Sequence, residues 1–236
     1  MASKLVFGYW NGRGRGQQIR FLLEYIEANY EEKTYFFSEP EQDEWFKKDK
    51  KVLKPFPNLP YIMDGDFYLS EHDVVIKYIV KKHPKYHELI GIGKGLNDEF
   101  IIDQLVSVIN DIRATIKDLC FNPKVQEVKK EVLATTHTKF NQLIEFKDTN
   151  IFLLSYLTTA DFKLIEVLLY YKALDTDQFN AYLSAFNPYI QQFHSLPRIS
   201  EYLKTDRYKS NNVFFPIQKS SFTGYEFIQE FNKQFV

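Results

Sequence analysis

Leu59-Pro60-Tyr61-Ile62-Met63-Asp64-Gly65-Asp66-Phe67-Tyr68-Leu69 is the stretch on which the reading of the chain turns. Its apolar runs Tyr61-Ile62-Met63 and Phe67-Tyr68-Leu69 flank Asp64-Gly65-Asp66, the chemistry of a tight turn, and so predict two antiparallel strands. A helix follows, with Val74, Val75, Tyr78 and Ile79 on one face. It closes on Lys81-Lys82-His83 before Pro84, cations at a helix C-terminus ahead of a residue that cannot continue it. Upstream, Lys4 to Trp10 reads as a short buried strand, and from Gln17 the residues Ile19, Phe21, Leu22, Leu23 and Ile26 keep helical spacing. Tyr35, Phe36 and Phe37 suit a further strand. The polar stretch Ser38 to Lys54, which contains Trp45 and Phe46, reads as a surface loop or short helix. Residues 1–84 therefore order as β-α-β, then β-β-α.

Residues 85–95, rich in glycine, suit a linker, and beyond them the character changes. Phe100, Ile101, Leu105, Val108, Ile109, Ile112, Ile116 and Leu119 keep helical spacing, and no strand signal of similar quality returns. Further helical stretches are expected over about Val125 to Phe146, Thr158 to Ala173, Gln178 to Phe193 and Ile199 to Leu203. Thr158-x-x-Asp161 before an apolar run is an N-cap pattern. Residues 96–236 read as all-helical, with an extended tail from about 216. In that tail Tyr225, Phe227, Ile228 and Phe231 have the spacing of a short extra helix.

Composition bounds the partners. The chain has 236 residues with 30 basic and 31 acidic side chains, a formal net charge of −1, which provides no overall pull toward nucleic acid or anionic lipid. One cysteine, Cys120, forms no internal disulfide. No Cys/His cluster has metal-ligand spacing, so a reducing compartment, the cytoplasm, and no metal are expected. No apolar run approaches the length of a membrane span.

The order of several segments resembles cytosolic glutathione transferases, most nearly the mu class. These segments are Gly8-Tyr9-Trp10, Arg13-Gly14, Ile19-Arg20 through Glu24-Tyr25, Tyr30 to Lys33, Phe56 to Tyr61, Asp64-Gly65, Tyr78-Ile79, Cys120-Phe121-Asn122-Pro123 and Thr158 to Phe162. The resemblance implies an α+β, thioredoxin-like N-terminal domain of β-α-β-β-β-α type with a four-stranded mixed sheet, followed by an all-α domain. It implies a homodimer that conjugates reduced glutathione, as co-substrate and without a further cofactor, to small hydrophobic electrophiles. A non-catalytic glutathione or hydrophobic-ligand binding protein, or a structural protein, on the same scaffold is the alternative, and a lipid-hydroperoxide isomerase a minor third.

The chemistry stands on its own terms. A thiol with a pKa of about 8.5 is only a few per cent ionised at neutral pH, and a depression of about 2 units, some 2.7 kcal/mol, makes it mostly thiolate. One hydrogen bond to a charged acceptor supplies roughly 1.5–3 kcal/mol, so one well-placed hydroxyl provides most of this. Tyr9, at the end of the first strand, is the candidate, helped by the N-terminus of the helix that follows.

The other assignments follow from the resemblance. Asn58, Leu59 and Pro60 lead into the hairpin; Pro60 is expected to be cis, and the main chain of Leu59 to pair with the cysteinyl backbone. At the γ-glutamyl end stands Glu71-His72 where the family has Gln-Ser or Glu-Ser, so Glu71 takes the ammonium and the His72 N–H the carboxylate. Asp111 matches the acid that reaches the same ammonium across the dimer. At the glycyl end Trp45 matches a carboxylate-binding indole, with Trp10 beside it. Gln42 and Asp49 stand where the mu pattern has arginine and lysine, which leaves Lys48 or Lys50, with Lys50 preferred. A solvated face is the rival reading of this charge run. The electrophile site draws on Trp10, Gly12, Arg15, Ile112, Phe121 and Phe214. There Arg15 replaces a leucine, and Phe121 a tyrosine whose hydroxyl assists epoxide opening. Phe56 matches the family's aromatic dimer key.

Overall fold

The computed structural model describes residues 4–36 and 40–210, which form two units, the first reaching Tyr86 and the second beginning at His87. The tail from about 216, its expected helix and Phe214 lie outside the described residues.

In the first unit β1 (Leu5–Trp10) is followed by α1 (Gly16–Tyr25), β2 (Tyr30–Tyr35), a six-residue π-helical segment (Glu44–Asp49) that runs into α2 (Lys50–Val52), the hairpin β3 (Tyr61–Asp64) and β4 (Phe67–Ser70), and α3 (His72–Lys82). The sheet order is β2-β1-β3-β4, with β1 parallel to β2 and antiparallel to β3. It is the four-stranded mixed sheet of a thioredoxin-like domain. β1 lies between two neighbours, which is why Leu5-Val-Phe-Gly-Tyr-Trp10 reads as a nearly unbroken apolar run. At the hairpin Gly65 takes a φ of 61°, a value that glycine adopts without steric cost.

β2 departs from expectation: it ends at Tyr35 rather than beginning there. Its sequence, Tyr-Glu-Glu-Lys-Thr-Tyr, is that of an edge strand with a largely solvated surface and no apolar alternation. Only Tyr35 is fully covered, while Phe36 beyond it is exposed.

Residues in register share a face, and successive residues alternate. Phe7 stands opposite Glu32 and Ile62, with Tyr9 next along the same face; Gly8 stands opposite Lys33 and Tyr61, with Trp10 opposite Tyr35 on the other. α1 covers the first face, and the π-helical segment brings Trp45 onto the second.

A 3₁₀ segment, Pro84–Ile90, overlaps the stretch expected as a linker and runs across the division at His87, and the second unit continues as helices. α4 (Asp98–Cys120) buries Ile102, Leu105, Ile109, Ile112, Ile116 and Leu119. Phe100, which fits the same apolar count, faces outward. The expected helix over 125–146 is two, α5 (Val125–Ala134) and α6 (His137–Lys147). The break falls at Thr135-Thr136, whose hydroxyls donate to the carbonyls of Val132 and Leu133, each at 2.6 Å, and so turn the chain locally.

α7 (Thr159–Leu174) is buried on nearly every side. At its start the Asp161 carboxylate accepts from the Thr158 N–H (2.7 Å), the Thr158 hydroxyl (2.8 Å), the Leu153 N–H (2.9 Å) and the Tyr189 hydroxyl (2.8 Å). The expected helix over 178–193 is divided into α8 (Thr176–Tyr182), a 3₁₀ turn (Ser184–Phe186) and α9 (Asn187–Ser195), because Pro188 suits only the first turn of a new helix. α10 (Pro197–Leu203) and α11 (Asp206–Ser210) complete the described chain. Among the described residues no helix is long and apolar enough to cross a membrane.

Candidate active site

Strand register gathers the predicted residues of the first unit. Trp10 pairs with Tyr35, and Tyr61 pairs with both Gly8 and Ser70. The C-terminal ends of β1, β2 and β4 and the N-terminal end of β3 therefore lie at one end of the sheet. Tyr9, Trp10, Leu59-Pro60 and Glu71-His72 converge there.

Tyr9 is only 4% exposed. Its phenol oxygen accepts the Arg15 N–H at 3.0 Å, so a backbone donor left over at the N-terminus of α1 is satisfied by the phenol. This bond favours negative charge on the oxygen and directs the tyrosine's own O–H to act as a donor. Two glycines bracket the ring: a Cβ on Gly14 would lie 2.6 Å from the phenol oxygen, and one on Gly16 2.2 Å from Cδ1 of the ring. Arg15 itself is exposed. The carbonyl of Gly12 accepts from Arg20 Nη1 at 2.8 Å and that of Trp10 from Nη2 at 3.3 Å. Arg20 is fully buried and paired with Glu32, its Nη2 2.5 Å and its Nε 2.9 Å from the same carboxylate oxygen.

The other face carries an aromatic cluster. Trp45 stacks on Tyr61 with ring centres 6.3 Å apart and meets Tyr35 and Trp10 edge-on at 5.3 and 6.5 Å. Tyr35 donates to Asp49 and meets the Tyr61 hydroxyl at 2.8 Å. Burial, the Asp49 bond and the Tyr61 bond together push the Tyr35 phenol far above its ordinary pKa. Lys33 lies 2.5 Å from Asp49; partial burial opposes its charge, but the bond and the charge of Asp49 raise its pKa on balance. Lys47 and Lys48 are held by Asp43 and Glu44, each at 2.7 Å, whereas Lys50 lies over the Phe46 ring at 5.6 Å.

The Leu59-Pro60 peptide is cis, as the sequence led us to expect. The loop before it is tied to β4 by the Phe56 carbonyl, which accepts from Tyr68 (3.0 Å) and Ser70 (2.6 Å). The Leu59 N–H donates to Asn58 Oδ1 at 2.9 Å, and Asn58 Nδ2 donates to Glu71 at 2.9 Å. Glu71 takes φ 72° and ψ 114°, a rare conformation for a residue with a side chain, and one that clusters at functional sites. His72 is buried, with Nδ1 2.8 Å from Asp73. Phe56 is 72% exposed.

In the second unit Asp111 is paired with Lys139 at 2.6 Å and its side chain is 66% exposed. Ile112 is buried and Phe121 exposed. Among the described residues no group of His, Cys, Asp and Glu side chains is placed to hold a metal ion.

Sequence reasoning missed the functional setting of Arg20 and Glu32, of Gly16, and of the Tyr35–Asp49–Lys33 network. A usable signal existed for the first: Arg20 interrupts the apolar run Ile19-Arg20-Phe21-Leu22-Leu23, and a charge on a buried helix face needs a partner.

A thioredoxin-like sheet with a tyrosine at the end of its first strand and a helical second unit defines the class. The chain matches the glutathione S-transferase N-terminal domain over residues 5–81 and the glutathione S-transferase C-terminal domain over 110–206. It belongs to the glutathione S-transferase family and is a transferase. It is 30% identical to Glutathione S-transferase Mu 1 of Rattus norvegicus, over 89% of this chain and 95% of that one. It is 31% identical to Glutathione S-transferase B of Cavia porcellus over the same shares. Among solved structures, that of the glutathione S-transferase Blo t 8 aligns with a TM-score of 0.75 and 26% identity, over 89% of this chain and 97% of that one.

Proposed function

We propose that this protein is a mu-like, cytoplasmic glutathione transferase that activates reduced glutathione through Tyr9 and conjugates it to small hydrophobic electrophiles. The observation that carries this reading is the Tyr9 phenol, fixed by the Arg15 N–H at 3.0 Å and bracketed by Gly14 and Gly16. The thiol releases its proton to solvent water, and the phenol O–H then donates to the glutathione sulfur and so lowers the thiol's pKa. The thiolate then attacks the electrophile. With an aryl halide the S–C bond forms as the halide ion leaves. The protein contributes position and a fixed donor, with no covalent bond to the enzyme.

Around the tripeptide, Glu71 meets the γ-glutamyl ammonium, the His72 N–H its carboxylate, the main chain of Leu59 the cysteinyl unit, and Trp45 and Lys50 the glycyl carboxylate. For Leu59 the ligand's carbonyl replaces Asn58 Oδ1 as acceptor. Lys50 is favoured over Lys48 because the latter is already held by Glu44. In the first unit Trp10, Gly12 and Arg15 serve the electrophile. Asp111 of a second copy reaches the ammonium, and the exposed Phe56 anchors the homodimer.

Retention on immobilised glutathione, combined with turnover of a chromophoric aryl halide, tests the reading. Tyr9→Phe is expected to cost about 10- to 100-fold in turnover, the worth of one hydrogen bond to a charged acceptor, while retention is kept. Retention without turnover in the parent protein identifies the carrier alternative, and a fully active Tyr9→Phe removes Tyr9 from its role.

A further inference from the structure

Arg20 has a setting that the reaction as described does not use. Its guanidinium carbon lies 5.9 Å from the centre of the Tyr9 ring and 5.8 Å from that of Phe7, two rings stacked on one face of the sheet. Its N–H groups hold the Trp10 and Gly12 carbonyls of the turn that carries Arg15, so one side chain touches both the ring and the loop that supplies the ring's backbone donor. Glu32 neutralises it from β2, in register with Phe7.

We propose that Arg20 and Glu32 form a charge-balanced positioning pair for Tyr9: Arg20 fixes the ring and its loop and supplies positive charge to the phenol, and Glu32 sets how much of that charge the phenol feels. The proposal rests on the reading of Tyr9 given above. A buried charge about 6 Å from the centre of the ring, poorly screened, shifts the ionisation of its hydroxyl by on the order of one pKa unit, a tenfold change in the ionised fraction. A guanidinium against an aromatic face is also mutually favourable, so the ring and the charge locate each other.

The elements packed here also carry Arg13 and Arg15 on the loop, Glu24 and Tyr25 further along α1, and His72, Asp73, Lys77, Tyr78, Lys81 and Lys82 on α3, which packs on α1. Glu31, Lys33 and Tyr35 of β2 belong to the opposite face by alternation, and β3 presents the apolar Ile62 in register with Phe7. Arg20 is a cation placed against the Tyr9 ring.

The test is the titration of Tyr9 itself in the ligand-free full chain, read as tyrosinate absorbance minus that of the same protein carrying Tyr9→Phe. Arg20→Gln is expected to raise the Tyr9 midpoint by about one unit and Glu32→Gln to lower it by a comparable amount. Arg20→Lys, which keeps the charge and loses the fork, is expected to stay nearer the parent than Arg20→Gln does. The pH profile of kcat/KM for glutathione should move in the same senses, with KM for glutathione changed less than kcat.

Shifts in opposite directions support the pair. Shifts in the same direction, or none, overturn it, since loss of structure alone drives both variants the same way. If Arg20→Gln does not fold, the signs for Glu32→Gln and Arg20→Lys decide. The absorbance arm needs no glutathione. Failure of the Tyr9 reading would be seen separately, as a Tyr9→Phe enzyme as active as the parent.

Discussion

The two faces of the sheet solve opposite problems at the same end of the first unit. On the α1 face everything converges on one phenol: glycines leave it room, a backbone N–H fixes its oxygen, and a buried guanidinium lies along its ring. On the other face the charges are spent on each other. Lys33 faces Asp49, Lys48 faces Glu44, and Tyr35 is tied to Asp49 and Tyr61. In the function proposed above the first arrangement acts on a ligand, whereas the second holds a π-helical segment in place. A tyrosine on one face and a tyrosine on the other therefore have different settings: Tyr9, the residue proposed to meet the thiol, accepts a backbone N–H, and Tyr35 is locked as a neutral donor.

The contrast breaks most sharply at Gly16. A methyl there enters the space of the Tyr9 ring, and displacement by about 1 Å at a reacting group costs on the order of 100-fold. Gly16→Ala is therefore expected to lose about that much kcat while its circular dichroism and KM for glutathione stay near the parent's. Near-parent turnover would show that the ring has freedom the bracketing glycines deny.

Tyr35→Phe should touch stability instead. Loss of its hydrogen bonds is worth about 1–2 kcal/mol at neutral pH, read by urea unfolding. The sign with pH follows from the raised pKa. The folded state keeps the Tyr35 proton longer than the unfolded state does, so its contribution is full below about pH 10 and declines as the unfolded phenol ionises above that. The parent should lose stability over that alkaline range, and the variant should lose less. Equal alkaline slopes would detach Tyr35 from the effect.

The smallest change is expected at Asp49. Asp49→Asn removes the negative charge that Lys33 now answers and leaves a cation near the proposed glycyl carboxylate. KM for glutathione should fall about threefold with kcat unchanged, the scale of a partly screened ion pair. A rise in KM would mean that Asp49 organises this end of the site rather than obstructing it.

Legibility followed range along the chain. β1 and the hairpin were readable because a central strand is apolar and Asp64-Gly65-Asp66 names its turn. The capping acid Asp161 was readable because the N-cap Thr158 stands three residues before it. β2 was displaced because an edge strand need not alternate, and the breaks at Thr135-Thr136 and Pro188 went unread inside otherwise periodic stretches. In the candidate site, Tyr9, Leu59-Pro60 and Glu71 stood out through the order of their segments. The pairing of Arg20 with Glu32, of Lys33 with Asp49 and of Asp111 with Lys139 did not, since which charge meets which is decided by how strands and helices stack. Periodicity carries no information about that.

The acid at the head of α7 has one more consequence. Its oxygens gather donors from Leu153, Thr158 and Tyr189, so the loop before the helix and the helix two further along share a single anchor. A chain cut or permuted between Thr158 and Tyr189 would have to bring both pieces back to that carboxylate before the central helix could seat. The helical unit thus behaves as one cooperative block over this span rather than as a row of separable hairpins.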